Sequence, residues 1–276
     1  MTSSMWRGDD VDLDAYLARV GLRGDVAPDL ATLRALHTAH VDAIAFDNLD
    51  AILDRAVPVD LDSVQDKLVR QARGGWCLEH VVLIAAVLDR IGYTFTALAT
   101  RSRIRTGNKF GPAVHIALRV ELDGVPWLFD VSFGGFGLSE PIRIAEGARV
   151  DGNWSFDVVR EPAGEWVLRL LRPDGPADVY GFTEDRRYPA DFEVLNHWCR
   201  TDERSPFNKK IILQRTRPEL RHVLIGSTLT ELRPGRPPVV RELDEDALLA
   251  APAELFGVTL APDDLRALAK TLPGGA

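Results

Sequence analysis

The chain has 276 residues, 46% of them hydrophobic and 27% charged, with Gly 22 and Pro 17. That composition excludes intrinsic disorder, collagen and an extended coiled coil, and at ~150 residues per domain it leaves room for about two domains. Lys+Arg 33 against Asp+Glu 41 gives a net charge of −8, so there is no long-range positive field to draw in nucleic acid or an anionic membrane.

The amino terminus, from Met1 to Asp10, places no apolar stretch behind a basic one, which predicts a cytoplasmic protein rather than a secreted one. From Val11 to Leu22 the apolar residues Leu13, Tyr16, Leu17 and Val20 recur at the spacing of one helical face. A second helix is predicted over Asp29 to Val41, where Leu30, Leu33 and Leu36 follow the start signals Pro28 and Asp29. Asp60 to Arg73 reads as a third helix. Leu78 to Ile91 reads as a fourth, apolar nearly all round and therefore buried. Its run Val81 to Leu88, eight residues, is far short of the ~20 a membrane-spanning helix requires, so no membrane partner is expected.

Beyond Gly92 the texture changes to short runs rich in β-branched and aromatic residues: Tyr93 to Thr100, Val114 to Leu122, Val125 to Phe133, Ser155 to Val159 and Glu165 to Leu171. These predict an antiparallel barrel or sandwich. After Phe182 the signals mix: Pro189 to Arg200, Glu242 to Phe256 and Pro262 to Leu272 read as helices, and Lys210 to Gln214 and Arg221 to Leu229 as strands.

The two cysteines, Cys77 and Cys199, are too few for a disulfide scaffold and lack zinc-site spacing. Cys77 lies in Arg73-Gly74-Gly75-Trp76-Cys77-Leu78-Glu79-His80, where a Gly-Gly turn feeds it into the buried helix. A free thiol of pKa ~8.5 is only about 3% thiolate at pH 7, and a helix N-terminus with Arg73 nearby would raise that fraction. Packing as a small buried hydrophobe is the alternative reading.

A thiolate nucleophile needs a histidine base and a group to orient it. Asp123-Gly124 is a two-residue hairpin turn, and it pairs Leu122 with Val125. One face of the hairpin then carries Val114, Ile116, Leu118, Val120 and Leu122 against Val125, Trp127, Phe129 and Val131. The other face carries His115 and Asp130 one diagonal step apart, close enough to hydrogen-bond. The competing reading of that face is a solvated polar surface. Among the other histidines, His37 and His40 share a helix turn, His80 follows Cys77 too closely, and His197 and His222 lack an acidic strand partner. A metal site on His37, His40 and His80 is not expected, because no carboxylate or cysteine sits at ligand spacing.

Three segments together, Arg73 to Glu79, His115, and Asp130-Val131-Ser132-Phe133-Gly134-Gly135, resemble the arylamine N-acetyltransferase family. Ile44-Ala45-Phe46-Asp47-Asn48-Leu49 is similar to that family's Ile-Pro-Phe-Glu-Asn-Leu, Ser205-Pro206-Phe207 to its Ser-x-Phe segment, and Leu249 to Leu260 to its tail. The resemblance implies an α+β, multidomain fold with a cysteine-protease-like Cys-His-Asp core. Its parts would be an N-terminal helical bundle over 1–92, an antiparallel β-barrel over 93–182 and a C-terminal α/β lid over 183–276.

It also implies a triad of Cys77, His115 and Asp130, with acetyl-CoA as donor, an arylamine or hydrazine as acceptor and no metal. The route would be ping-pong, through an acetyl-cysteine. Phe46, Phe133 and Phe207 would line the acceptor pocket, or else pack as ordinary core. Ala45, Asp47, Val114 and Ser132 depart from the family's pattern without touching the triad. Ser132 stands where the family has glycine, and it is expected to narrow the cleft. Arg101, Arg103 and Arg105 alternate near Lys109, either as a solvated edge or as contacts for the CoA phosphates. Two other functions compete: an amide synthase closing a polyketide macrolactam from a carrier-bound thioester, and a degenerate binding module, against which the intact triad argues.

Overall fold

The computed structural model describes residues 4–104 and 111–271. Helix α1 (Leu13–Val20) begins where the Asp12 carboxylate accepts the Ala15 N–H, and α2 (Leu30–Ala43) where Asp29 accepts the Thr32 N–H. Strand β1 (Phe46–Asp47) and the short helices α3 (Leu49–Ile52) and α4 (Leu61–Gln65) follow. The helix predicted over Asp60 to Arg73 keeps Asp60 as its cap, but it passes into a wider π-helical turn over Asp66–Arg70. Helix α5 (Cys77–Ile91) is the buried helix expected; Leu78, Leu83, Ile84, Val87 and Leu88 are all 1% exposed or less. Each such side chain contributes about 1.5–3 kcal/mol of hydrophobic stabilisation.

Eight strands form one antiparallel sheet: β2 (Thr94–Ser102), β3 (His115–Leu122), β4 (Val125–Phe129), β5 (Ile142–Arg143), β6 (Arg149–Val150), β7 (Ser155–Arg160), β8 (Trp166–Arg172) and β9 (Gly175–Arg187). Their order is β5-β4-β3-β2-β9-β8-β7-β6, and the two end strands approach each other, so the sheet curls into a nearly closed barrel rather than a sandwich. The sequence signals did not mark β9, which carries the barrel past Phe182 to Arg187.

Helix α6 (Pro189–Thr201) leads to a second antiparallel sheet made of β10 (Ile212–Thr216), β11 (Arg221–Ile225), β12 (Thr228–Leu232) and β13 (Val239–Glu242). The single strand predicted from Arg221 to Leu229 is in fact a hairpin, because Gly226, at φ 61, turns the chain back. Helices α7 (Glu245–Glu254) and α8 (Pro262–Thr271) close the chain's described part. The N-terminal β1 pairs with β10, Phe46 opposite Gln214, and so the first segment is stitched into the last one's sheet. No described helix is long and apolar enough to cross a membrane.

The β3–β4 hairpin has the register that the turn chemistry dictates. Asp123 and Gly124 both have positive φ, 52° and 75°, and Leu122 pairs with Val125 through to Leu118 with Phe129. Pro126, opposite Glu121, does not shift it. Strand β4 stops at Phe129, short of the predicted Phe133, because the Asp130 carboxylate captures the Ser132 N–H at 2.9 Å and turns the backbone out of the ladder. One face of the hairpin, with Ile116, Leu118, Val120 and Phe129, packs on the helices. The other, with Ala117 and Leu128, faces the barrel interior, so it is not the solvated surface that the sequence left open.

Candidate active site

The Gly-Gly turn before Cys77 is forced by packing. A Cβ on Gly74 would lie 2.5 Å from the Ala45 carbonyl oxygen, and one on Gly75 would lie 2.7 Å from Glu79 Oε2. Glu79 accepts the Trp76 N–H at 3.0 Å and Lys67 Nζ at 2.8 Å, and Lys67 reaches Asp50 at 2.7 Å. Burial nonetheless holds the Glu79 carboxyl up at about 7 against the pull of Lys67. Arg73, expected to favour a thiolate at Cys77, pairs instead with Asp50 at 3.1 Å.

Cys77 is 5% exposed at the first position of α5. His115, at the start of β3, places Nε2 2.9 Å from Asp130 Oδ2. Burial opposes a charged imidazole, but the Asp130 carboxylate and its hydrogen bond outweigh it and raise His115 to about 10. Burial likewise pushes the Cys77 thiol up, while its interaction with His115 pulls it down. The arrangement brings together a thiol, an imidazole that interacts with it and a buried carboxylate bonded to that imidazole, where the bundle meets the barrel. Cys199 belongs to the same buried cluster as Cys77, close enough to push its thiol up, but His115 is not among the groups acting on it, and burial raises its own thiol to about 12.

Ser132 does not narrow the cleft. It is 3% exposed, and its Oγ donates to Asp130 Oδ1 at 3.0 Å, next to its own N–H on the same oxygen. Phe46 and Phe133 line a cleft with Asp130, Val131 and His80. The Phe133 ring meets the His115 imidazole edge-on, with centroids 5.0 Å apart. Phe207 is 6.1 Å from Phe46 and 6.2 Å from Trp76. Asn48 fixes it there, donating to the Phe207 and Lys210 carbonyls at 2.8 Å and accepting the Ile212 N–H at 2.7 Å.

Two further side chains, and the pairing of a set of histidines weighed in the sequence only as metal ligands, were not found in the sequence. Tyr180, on β9, is fully buried 5.8 Å from the His115 ring and 5.1 Å from Phe133, with Asp130 near enough to raise its phenol beyond the effect of burial. It was missed because the strand carrying it was not recognised. Arg221, on β11, is fully buried, and burial lowers its guanidinium to about 9. It donates to the Gly135 and Gly137 carbonyls at 3.0 and 2.9 Å and to Ser139 Oγ at 2.7 Å, and lies 4.1 Å over the Trp154 ring. It thereby clamps the loop that follows Asp130. The histidines His37, His40 and His80 have their Nε2 atoms and the His80 Nδ1 occupied by hydrogen bonds, a pairing that their spacing in the sequence did not reveal.

Arg103 is not available to phosphates: its buried side chain pairs with Glu161, Glu165 and Asp178. Arg101 is exposed and donates to the Gly111 carbonyl, while Arg105 and Lys109 lie outside the described residues. Among the described residues no group of three His, Cys, Asp or Glu side chains is placed to hold a metal ion.

The comparisons with known proteins identify the chain as an acyltransferase. Residues 29–265 match the family model described as N-acetyltransferase. The arylamine N-acetyltransferase of Mycobacterium tuberculosis (strain H37Rv) is 32% identical over 258 residues, 91% of this chain and 90% of that one. The crystal structure of the Nocardia farcinica arylamine N-acetyltransferase is 41% identical, covering 96% of this chain and 95% of its own, with a TM-score of 0.90. The structure of the Mycobacterium marinum arylamine N-acetyltransferase in complex with CoA is 28% identical, covers 95% of this chain and 100% of its own, and has a TM-score of 0.85. The chain belongs to the arylamine N-acetyltransferase family.

Proposed function

We propose that the chain transfers an acetyl group from acetyl-CoA to the nitrogen of an arylamine or hydrazine, in two displacements through Cys77. The observation that carries the reading is the His115–Asp130 hydrogen bond of 2.9 Å beside the Cys77 thiol, at the head of a buried helix. The Cys77 thiolate attacks the acetyl carbonyl, the bond to the CoA sulfur breaks, and the departing thiolate takes the proton from the His115 imidazolium. The acceptor nitrogen then attacks the acetyl-cysteine and gives its proton to His115, and the Cys77 thiolate is released. Asp130 holds the imidazole in orientation and stabilises its charge. Phe46, Phe133 and Phe207 offer aromatic faces to a flat acceptor, each contact worth about 0.5–1.5 kcal/mol beyond area burial.

In this reading residues 1–92 supply the nucleophile, 93–182 the base and its orienting carboxylate, and 183–276 the covering segment. Two unpaired cysteines fit the reducing cytoplasm. The test is to incubate the protein with acetyl-CoA and no acceptor, then weigh and digest it. One acetyl group on Cys77, discharged by a hydrazine or an arylamine, is expected; an unmodified protein or an adduct on Cys199 overturns the reading.

A further inference from the structure

Cys77 enters from a helix, whereas His115 and Asp130 enter from the barrel, and both parties are gripped by one face of α2. His37 and His40 are three residues apart on that helix, and both are fully buried. His37 Nε2–H donates to the Asp130 backbone carbonyl at 2.9 Å, and its ring packs edge-on to Phe129, 5.0 Å between centroids. His40 Nε2 lies 2.9 Å from His80 Nδ1, and His40 Nδ1 lies 3.0 Å from the Tyr16 hydroxyl on α1. His80, one turn after Cys77, places Nε2 3.0 Å from the Gly75 carbonyl oxygen and 3.3 Å from that of Ala45.

The direction of this chain is determined. Carbonyl oxygens only accept, so His80 Nε2 carries the proton and the neutral ring's Nδ1 accepts from His40 Nε2–H. His40 Nδ1 in turn accepts the Tyr16 O–H. Every donor in the line points toward Gly75, whose carbonyl also accepts the Asp47 N–H at 2.8 Å. The turn that presents Cys77 and the backbone that presents Asp130 are therefore tied to the same rigid helix.

We propose that His37 and His40 are positioning residues, which align the Cys77 thiol with the His115–Asp130 pair by holding the Asp130 carbonyl directly and the Gly75 carbonyl through His80. The inference rests on the proposed roles of Cys77, His115 and Asp130. A purely structural role would affect folding alone; an alignment role affects the reaction of Cys77 in a folded protein.

The test compares the parent with His37→Leu, His40→Leu and His37→Gln. It reads the single-turnover rate of acetylation by acetyl-CoA, the KM for acetyl-CoA and the pH profile of Cys77 alkylation by iodoacetamide, all well below the melting temperature. In the leucine variants acetylation is expected to fall about ten- to a hundredfold, the cost of misplacing reacting groups by ~1 Å. Neither histidine lines the cleft, so KM should stay within about threefold. The alkylation profile should move to higher pH as the thiol loses its imidazolium partner. His37→Gln, which keeps an N–H for the Asp130 carbonyl, should restore most of the rate.

Folded leucine variants with the parent's acetylation rate and alkylation profile overturn the inference. If either leucine variant fails to fold, Tyr16→Phe and His37→Gln decide the matter. Tyr16→Phe frees His40 to change tautomer and should slow acetylation while His37→Gln stays near the parent; equal rates in parent and Tyr16→Phe count against the alignment chain. A parent that takes no acetyl group on Cys77 would overturn the site reading itself, a result distinct from a reactive parent with equally reactive variants.

Discussion

Asp130 is held from several sides. His115 takes one carboxylate oxygen, the Ser132 N–H and Oγ–H take the other, and His37 takes the backbone carbonyl. The carboxylate is what keeps His115 up at about 10, since burial acts in the opposite direction. In Asp130→Asn burial acts unopposed by that charge, so His115 should fall below its ordinary value and be neutral at pH 7. Cys77 then loses its cationic neighbour, and its thiol should titrate higher still. The expected outcome is a drop in acetyl transfer of about a thousandfold or more, together with slower alkylation of Cys77 at pH 7. Steady-state rates and timed iodoacetamide labelling measure both. Activity within tenfold of the parent would show that the carboxylate is not the orienting group. Ser132 shows where sequence reasoning fails at this scale: its identity was visible, but only the turn after β4 reveals that its hydroxyl points at Asp130 and not into the cleft.

At the scale of elements, what was legible followed from local chemistry. Asp29 and Asp60 cap their helices, and Asp123-Gly124 sets a hairpin register that carries His115 to Asp130. Illegible were the features made by partners distant in sequence. Strand β9 contains polar residues that its apolar neighbours in the barrel compensate, and β1 is two residues long and exists only because β10 lies beside it. Arg221 belongs to this second group. Within a strand pattern it reads as a solvent-facing position, whereas here its guanidinium fork meets the Gly135 and Gly137 carbonyls and Ser139 Oγ over the Trp154 ring. Lysine offers one ammonium on a flexible stem and cannot reproduce that fork. Arg221→Lys should therefore cost about 2–4 kcal/mol through unpaired buried carbonyls and an imperfectly paired charge. It should also loosen the Gly134–Ser139 loop beside Phe133. Urea unfolding monitored by tryptophan fluorescence reads the loss; a midpoint unchanged from the parent's would mean that water or backbone adjustment replaces the clamp.

For the whole molecule, one core joins the parts. A single apolar cluster runs from Val11 in the first segment through Ile116 and Phe129 of the barrel to Phe192 and Ile212 of the last segment. The three-part reading of the sequence describes the order of elements, whereas the packing crosses each boundary and puts the site's buried ionisable groups into that shared interior. Their protonation is consequently linked to global stability. Burial, working against the backbone and Asp130 interactions, lowers His37 and His80 to about 4, and burial with neighbouring histidines lowers His40 well below its ordinary value. These three resist protons that the unfolded chain takes up near 6.5, so their contribution is present above pH 6.5 and is lost as pH falls toward 4. Glu79, raised to about 7 by burial, has the opposite sign: the folded chain keeps a proton that the unfolded one releases near 4.5, which offsets one histidine between pH 4.5 and 7. His115, raised to about 10, contributes fully below pH 6.5 and progressively less as pH rises to 10. Each uncompensated proton is worth about 1.4 kcal/mol per pH unit. Below pH 6.5 the lowered histidines, His222 among them, outweigh Glu79 and the burial-raised Asp47, and above pH 7 His115 acts in the opposite direction, so stability should peak near pH 6.5 and fall on both the acid and the alkaline side. Urea unfolding free energies at half-unit steps from pH 4.5 to 9.5 trace the curve, and His37→Gln should flatten its acid limb by about one proton's share. A flat profile between pH 5 and 8, or a maximum above pH 8, would mean that the buried histidines are hydrated or charged in the folded protein, and that the directed Tyr16–His40–His80 chain does not exist in solution.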